Sequence, residues 1–555
     1  MAVVLKIRKR EIGAASYKRG KEGSHLRPRY AEKTPPCKHT CPSSNAIRGF
    51  LTTIAQTEEY GRTYEESYEM AWRKLADTNP LPAVLGRVCP HFCEGECNRK
   101  GKDEAVSINQ IERFLGDFGI KNNLQHEKLT DDVRSEKVAV IGSGPAGLSC
   151  AYQLARRGYP VTIFEAFGKS GGMIRYGIPS YRLPDDIIDA EVSKIEALGV
   201  EIKYNTRIGT DVSIDDLKKE YKAVYLGIGA HKGWNLGIPG EDGPGVMNAV
   251  EFLNKINSGE KVDVGSKVLV IGGGNSAIDA ARVSWRMGAT PQIVYRRTRD
   301  EMPANIEEIE DTEAEGIHIE YLAAPVEVVR DGDKVTGLKC IKMELGEPDA
   351  SGRRRPVPVE GSEFVIEADT VIPAIGQGPE FAGLERLEEN GWITAGANGE
   401  TSEEGVFAGG DVTNKLGTVT EAIGLGRKAA VAIDAYIKGE EVPKEFPPPV
   451  IRYSDMAINY YEPAERTAKS HISIDERKGN FNEVVATLSE EQAIAEAKRC
   501  LSCGLCFDCG NCYNFCSYNA VKKLPKGEHF KFALDTCVGC KKCAEECPCG
   551  YIDMI

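Results

Sequence analysis

Between Cys500 and Cys549 lie eleven of the chain's 18 cysteines, and eight of them repeat one spacing. The first run is Cys506-x2-Cys509-x2-Cys512-x3-Cys516; the second is Cys537-x2-Cys540-x2-Cys543-x3-Cys547, followed by Pro548. A turn so spaced brings three thiolates round three corners of a cubane, and the fourth corner is met from the other run. The pair of runs therefore predicts two [4Fe-4S] clusters, carried by a small α+β domain over 500–555. Ser517 stands where a proline usually follows the fourth cysteine, which loosens the turn but removes no ligand. Structural disulfides, the alternative use of so many cysteines, belong to exported chains. The opening MAVVLKIRKREIG lacks the apolar core of a signal peptide, so the reading is a reducing, cytoplasmic setting.

At 555 residues the chain is too long for one core, and three or more domains are expected. The longest apolar runs, such as Val138–Ile141 and Val268–Ile271, fall far short of the ~20 residues that a membrane span needs. A net charge of −13 gives no general attraction for nucleic acid or an anionic membrane. Only the first 34 residues are locally basic (Lys6, Arg8, Lys9, Arg10, Lys18, Arg19, Lys21, Arg27, Arg29). They read as a solvated arm or as an arm lying on an acidic partner subunit.

Two glycine loops occupy the middle of the chain. Lys137-VAVI-Gly142-Ser-Gly144-Pro145-Ala146-Gly147 reads as a strand, a G-x-G-x-x-G turn and the start of an amphipathic helix. The next strand, from Pro160, ends at Glu165, 23 positions after Gly142. In that context the glycines let a pyrophosphate reach the helix N-terminus, and the acid accepts hydrogen bonds from ribose hydroxyls. Lys267-VLVI-Gly272-Gly-Gly274-Asn275-Ser276-Ala277 repeats the device. Its second strand ends in Tyr295-Arg296-Arg297, and Arg296 stands 24 positions after Gly272, the counterpart of Glu165. Arg296 and Arg297 suit a 2′-phosphate, which favours NADP(H). NAD(H) stays open, because an arginine also stacks on adenine without a phosphate to hold. The repetition is duplication of a fold and not a solenoid. Cys150 and Cys340 fall in helix and strand patterns and read as core, and Cys549, outside both runs, reads as buried.

Five further cysteines lie near the N-terminus, in Cys37-x3-Cys41-Pro42 and Cys89-Pro90-x2-Cys93-x3-Cys97. Helices are expected after Cys41, over Tyr64–Leu75 and around Ile108–Phe118. The stretches PPCKHTCPSSNAIRGFL, TNPLPAVLGRVCPHFCEGECNR and VSINQIERF resemble the glutamate synthase small-subunit family, whose relatives include dihydropyrimidine dehydrogenase and the large subunit of NADH-dependent ferredoxin:NADP oxidoreductase. That resemblance implies a first N-terminal cluster on Cys41, Cys89, Cys93 and Glu112, a carboxylate in the third helix. It also implies a second cluster on Cys37, Cys97 and a Cys-x2-Cys just before Cys37, where this chain has RPRYAEKTPP and no cysteine. Far away, EAKRCLSC supplies Cys500-x2-Cys503, and the relatives carry a similar Arg-Cys-x2-Cys segment. Cys500 and Cys503 are therefore expected to fold back and complete that cluster, giving four clusters; three are expected if they do not.

Thr401–Asp411 with the following helix resembles the second FAD fingerprint of two-dinucleotide-fold reductases. The resemblance implies that Asp411 holds the ribityl and pyrophosphate region, and that the helix from Val419 points its N-terminus at the flavin. Gly171-Gly172-Met-Ile-Arg-Tyr-Gly177 and Tyr181-Arg182 match the family's flavin-lining segment. The implied fold is α/β, with two Rossmann-like domains and the NAD(P) domain inserted in the FAD domain. A helical iron–sulfur domain precedes them and an α+β ferredoxin domain follows. The expected order is a basic arm (1–34), helical domain (35–130), FAD domain (131–245 and 376–445) around the NAD(P) domain (246–375), linker and helix (446–499) and ferredoxin (500–555). Leu488-SEEQAIAEAKR reads as a helix with a capping box from Ser489 to Gln492, whereas the stretch before it to about Val485 has weak periodicity.

These parts imply a circuit. A nicotinamide delivers two electrons as hydride, FAD releases them singly, and clusters carry one each. No acid or base is needed beyond alignment, so no catalytic residue is singled out. The arrangement also resembles flavin subunits of 2-oxoacid oxidoreductases of the phenylglyoxylate dehydrogenase type. That implies partners that are other subunits of an oxidoreductase complex. The alternatives are a stand-alone NAD(P)H:ferredoxin oxidoreductase and a non-enzymatic scaffold with degenerate sites.

Overall fold

Val138–Ile141, Val161–Phe164 and Ala223–Leu226 are runs rich in β-branched and aromatic residues, and each is buried along its whole length. Such runs, covered on both faces, form a parallel sheet. Its order is Val406–Ala408, Ala223–Leu226, Val138–Ile141, Val161–Phe164, Glu201–Lys203, every pair parallel. The computed structural model describes residues 23–349, 352–413, 417–444 and 446–555. Contacts divide the chain into two units, one of them 127–442 with 470–486.

Within that unit the strands of a second parallel sheet, Thr370–Pro373, Lys267–Ile271, Thr290–Tyr295, His318–Tyr321, fall in sequence between Ala223–Leu226 and Val406–Ala408 of the first. The second parallel-sheet domain is thus inserted in the first. The two connections run side by side, Lys232–Gly233 pairing antiparallel with Gln377–Gly378. An antiparallel sheet, from Ala323–Asp331 to Phe364–Glu367, is inserted in sequence between His318–Tyr321 and Thr370–Pro373 of the second parallel sheet. Helix Val419–Lys438 begins at Thr418 with a capping box to Glu421 and packs closely on helix Pro145–Arg156. The approach is tight enough that a Cβ on Gly426 would run into the Ala146 carbonyl. Cys150 and Cys340 are fully buried, as expected of core residues. Segment 470–486 lies on the second domain: Val484 and Phe481 join its core, and Arg477 pairs with Asp311 and Glu315.

The other unit holds the described residues up to 126 together with 443–469 and 487–555. Amphipathic helices Ile47–Ala55, Tyr64–Ala76 and Ile108–Lys121 bury one face each around Phe50, Leu51, Leu75, Ile111 and Leu115. Helix Glu490–Lys498, capped by Ser489 and Gln492 as its sequence predicts, inserts Ala493 and Ala497 into the same core. Cys500 and Cys503 follow directly, so this helix delivers them to the N-terminal domain. The C-terminal domain has a two-stranded sheet, Val521–Lys523 with Phe530–Phe532, and short helices at Asn511–Asn514 and Lys542–Glu545.

Lys6, Arg8, Lys9, Arg10, Lys18, Arg19 and Lys21 of the basic arm lie outside the described residues. From residue 23 onward the arm lies on the chain's own C-terminal domain. Strand Pro28–Tyr30 pairs antiparallel with Ile552–Met554, and Lys33 reaches Asp553 at 2.7 Å. Among the described residues, no helix is long and apolar enough to cross a membrane.

Candidate nucleotide and iron–sulfur sites

In the first glycine loop, Gly142 has φ +94°, and a Cβ there would meet the Gly227 carbonyl. A Cβ on Gly147 would strike the Gly142 carbonyl, whereas at Gly144 nothing stands within 4 Å. Two glycines are thus required by packing and the middle one by open space, which is where a pyrophosphate approaches. Pro145 and Ala146 open the helix, and Gly172, at φ +53°, abuts the Gly144 Cα. Glu165 is buried at its strand end. Its Oε2 accepts from the Ser143 N–H (2.8 Å) and hydroxyl (2.5 Å), and its Oε1 from the Phe167 N–H (2.8 Å). A carboxylate has about four lone-pair sites, so this aimed group keeps capacity for ribose hydroxyls.

Asp411 closes the site from the other end of the domain. Its carboxylate accepts from the Gly417 N–H at 2.9 Å, and burial pushes its pKa up. Val419 starts its helix, so its N–H has no helical acceptor and is available to a ligand. Sequence reasoning missed His231, just past strand Ala223–Leu226. Its ring lies 5.4 Å from Phe167, its Nδ1 is buried without a partner, and burial holds its pKa down at about 4. The open Gly144, the two acids at strand ends and this orphaned nitrogen fit an FAD-sized dinucleotide.

The second loop repeats the pattern. A Cβ on Gly272 (φ +147°) would meet the Ala374 carbonyl, while nothing stands within 4 Å of Gly274. Asn275 opens the helix and accepts from the Asn305 N–H at 2.9 Å, with Ser276 beside it. Arg296 is exposed and has no ion-pair partner among the described residues. Arg297 is different: its Nη2 pairs with Asp349 at 2.6 Å and its Nε donates to the Arg354 carbonyl at 2.8 Å. These contacts hold Arg297 inward at the bend after strand Thr290–Tyr295, which corrects its expected place beside Arg296 at the nucleotide. Arg182 is likewise committed elsewhere. Its guanidinium pairs with Asp279 at 2.8 Å and Glu308 at 3.1 Å and not with an open flavin groove.

The cysteines fall into four groups. Glu112 and Cys41 lie close enough to Cys89 to raise its pKa, after burial as the main cause, and Cys93 is raised by burial and then by Glu94, Cys37, Cys89 and Cys41. Burial also pushes the Glu112 carboxyl up to about 8, against hydrogen bonds donated to its Oε1 by Asn79 (2.9 Å) and Asn45 (3.1 Å). Those amides aim the carboxylate. Cys37, Cys97, Cys500 and Cys503 make a second group: beyond burial, Cys37 is affected by Cys503, Cys97 and Cys500 in that order. Asn98 donates to Cys503 Sγ at 3.7 Å.

In the C-terminal domain, Cys506, Cys509, Cys512 and Cys547 line one hollow. Cys516, Cys537, Cys540 and Cys543 line another. The fourth cysteine of each run has crossed to the other, as the spacing predicts. Both fourth cysteines accept the same backbone bond four residues on, from Ala520 to Cys516 (3.2 Å) and from Tyr551 to Cys547 (3.3 Å), so Ser517 leaves the turn intact. Cys549 is buried 3.7 Å from Cys547. None of the 18 cysteines forms a disulfide. Four thiols buried together repel one another once ionised, and a cationic iron–sulfur centre relieves that cost.

The profile of pyridine nucleotide-disulphide oxidoreductases matches residues 136–426, that of dihydropyrimidine dehydrogenase domain II, 4Fe-4S cluster, 30–124, and that of the 4Fe-4S dicluster domain 505–551. The NADPH-Fe(3+) oxidoreductase subunit beta of Geobacter sulfurreducens is 39% identical over 519 residues, 86% of this chain and 76% of that protein. The chain belongs to the pyridine nucleotide-disulphide oxidoreductase family. Within the family it is also similar to the NADP(+)-dependent formate dehydrogenase subunit beta of Moorella thermoacetica, at 39% identity over 85% of this chain and 70% of that one. The glutamate synthase [NADPH] small chain of Escherichia coli is 36% identical over 72% of this chain and 88% of its own length, which bears out the resemblance read from the sequence. This family member is an NAD(P)-dependent FAD oxidoreductase with iron–sulfur domains at both ends, and its homologues include subunits of larger oxidoreductases.

Proposed function

We propose that the chain is the nicotinamide-side subunit of a cytoplasmic oxidoreductase complex. It exchanges hydride with NADP(H) at FAD and passes single electrons through four [4Fe-4S] clusters to or from a catalytic partner subunit. FAD, when bound, converts between hydride and single electrons. The protein's part is to hold the nucleotides at Gly142–Gly147, Glu165, Asp411 and Val419, and at Gly272–Ser276 and Arg296. It also brings cysteines from both ends of the chain into four groups.

The observation that carries the proposal is the gathering of Cys37, Cys97, Cys500 and Cys503. A cluster held in this way ties the C-terminal domain to the helical one through a shared metal site and makes it a fixed outlet. The preference for NADP(H) is supported by the unpaired Arg296 and by the NADPH- and NADP(+)-dependent relatives. Those relatives make an iron(III)- or formate-linked partner a nearer precedent than a 2-oxoacid dehydrogenase. The reducing compartment is supported by the cysteines gathered for cluster ligation, a use that goes with a reducing setting.

Iron analysis of anaerobically purified protein tests the cluster assignment. The full chain is expected to hold about 16 Fe and a C500S/C503S variant about 12. A double variant that keeps all its iron removes the shared site. Co-purification with a larger subunit supports the complex, whereas a lone active chain that reduces soluble ferredoxin supports the stand-alone alternative.

A further inference from the structure

Arg182 sits in a short turn between two prolines, Pro179 and Pro184, immediately after the segment that faces the first glycine loop. Its own N–H and that of Leu183 both donate to the Pro179 carbonyl, at 2.9 and 3.1 Å, and Tyr181 and Leu183 are buried. From this fixed turn the guanidinium crosses to the nicotinamide domain. Nη1 meets both oxygens of Asp279, at 2.9 and 2.8 Å, and Nε lies 3.1 Å from Glu308. The other Glu308 oxygen is held by Arg282 at 2.5 Å. Beneath the pair, the Tyr181 ring stacks 3.8 Å from the Arg286 guanidinium and 5.0 Å from that of Arg282.

Asp279, Arg282 and Arg286 all belong to helix Asn275–Arg286, whose N-terminus is the second nucleotide cradle. We propose that Arg182 is a positioning residue for hydride transfer: through Asp279 and Glu308 it fixes the helix that carries the nicotinamide nucleotide against the flavin-side segment. Stability alone does not call for such a pair. Burying two charges costs solvation, and an apolar pair of the same volume often holds two elements as well or better. An ion pair adds direction, because its geometry sets the helix along and about its axis, where an apolar contact lets it slide. Hydride transfer depends on that direction, since a misplacement of about 1 Å costs on the order of 100-fold in rate. The inference rests on the hydride exchange between nicotinamide and FAD, but not on the identity of the partner, the cluster count or the choice between NADP(H) and NAD(H).

The test uses the full chain loaded with FAD and clusters, and the nucleotide that reduces it faster. R182M alone leaves Asp279 buried and unpaired, so the decisive variant is R182M/D279L, with R182K as the conservative replacement. In anaerobic stopped-flow, R182M/D279L is expected to reduce flavin at least ~10-fold more slowly, with a weaker long-wavelength charge-transfer band between nicotinamide and flavin. Its oxidised-nucleotide affinity is expected within ~3-fold of the parent and its melting temperature close to the parent's, and R182K is expected to regain part of the rate and band. Flavin reduction at the parental rate overturns the proposal. A loss of affinity equal to the loss of rate also overturns it, by making Arg182 a binding residue. So does a melting temperature that falls in step with the rate, which makes the clamp merely structural.

Discussion

Arg296 and Arg297 are neighbours in the chain and opposites in the fold. The first is exposed and unpaired, and the second is buried on Asp349 and the Arg354 carbonyl. Arg296→Ala is therefore expected to lower kcat/KM for NADPH by about 10- to 100-fold, the value of charge-assisted bonds to a phosphate, and to leave NADH nearly unchanged. Arg297→Ala is expected to lower the melting temperature and keep the NADPH/NADH ratio. Steady-state kinetics with both nucleotides separates the two. The sequence placed both at the nucleotide, because they lie in the bend past Tyr295, where distant partners such as Asp349 decide which one turns inward. The partners of Arg182 were not available there, because Asp279 is 97 positions away and only the fold brings them together. His231 was also hidden, since its orphaned Nδ1 is a property of its burial and not of any motif.

At the scale of elements, the strands and helices around the glycine loops were legible because local pattern and final burial agree. Segment 470–486 was not, because what orders it is a set of contacts with distant residues. Its Arg477 joins Arg282 and Arg286 on Glu315, which follows helix Ile306–Ala314. Burial pushes the Glu315 carboxyl up, but hydrogen bonds from Arg282 and Arg286 outweigh it and hold the pKa down at about 2. A carboxylate depressed in the folded state stabilises the fold fully above its unfolded value of 4.5, and that stability is lost as pH falls toward 2. The full contribution is about 3 kcal/mol. Glu315→Gln is expected to be less stable near pH 7 and to show a flatter loss of stability between pH 4.5 and 2. Thermal melts across that range measure it; a variant with the parental acid limb assigns the acid sensitivity to other carboxylates.

At the scale of the whole chain, cysteine spacing announced the C-terminal clusters, and the gap before Cys37 pointed to Cys500 and Cys503, with loss of that cluster as the alternative. What local spacing did not give is the closure of the chain on itself. Pro28–Tyr30 covers the edge of Ile552–Met554, and backbone bonds join Arg27 with Ile555 in both directions, at 2.7 and 3.0 Å. The Tyr30 ring lines the hollow of Cys506, Cys509, Cys512 and Cys547, with the Tyr551 ring at 5.0 Å and that of Phe532 at 4.8 Å. A basic segment that reads as a solvated arm, or as one lying on a partner, therefore acts from residue 23 onward as a cover for one cluster site of its own domain. An apolar wall of this kind governs solvent access and so the lifetime and potential of the centre behind it. Tyr30→Ala opens that wall on one hollow and leaves the one lined by Cys516, Cys537, Cys540 and Cys543 closed. On exposure to air the variant is expected to lose one C-terminal cluster several times faster than the other, read as selective loss of one reduced-state EPR signal. Equal decay of both signals at the parental rate would mean that Tyr30 protects neither, and that the pairing of the two chain ends serves only to hold the last strand in place.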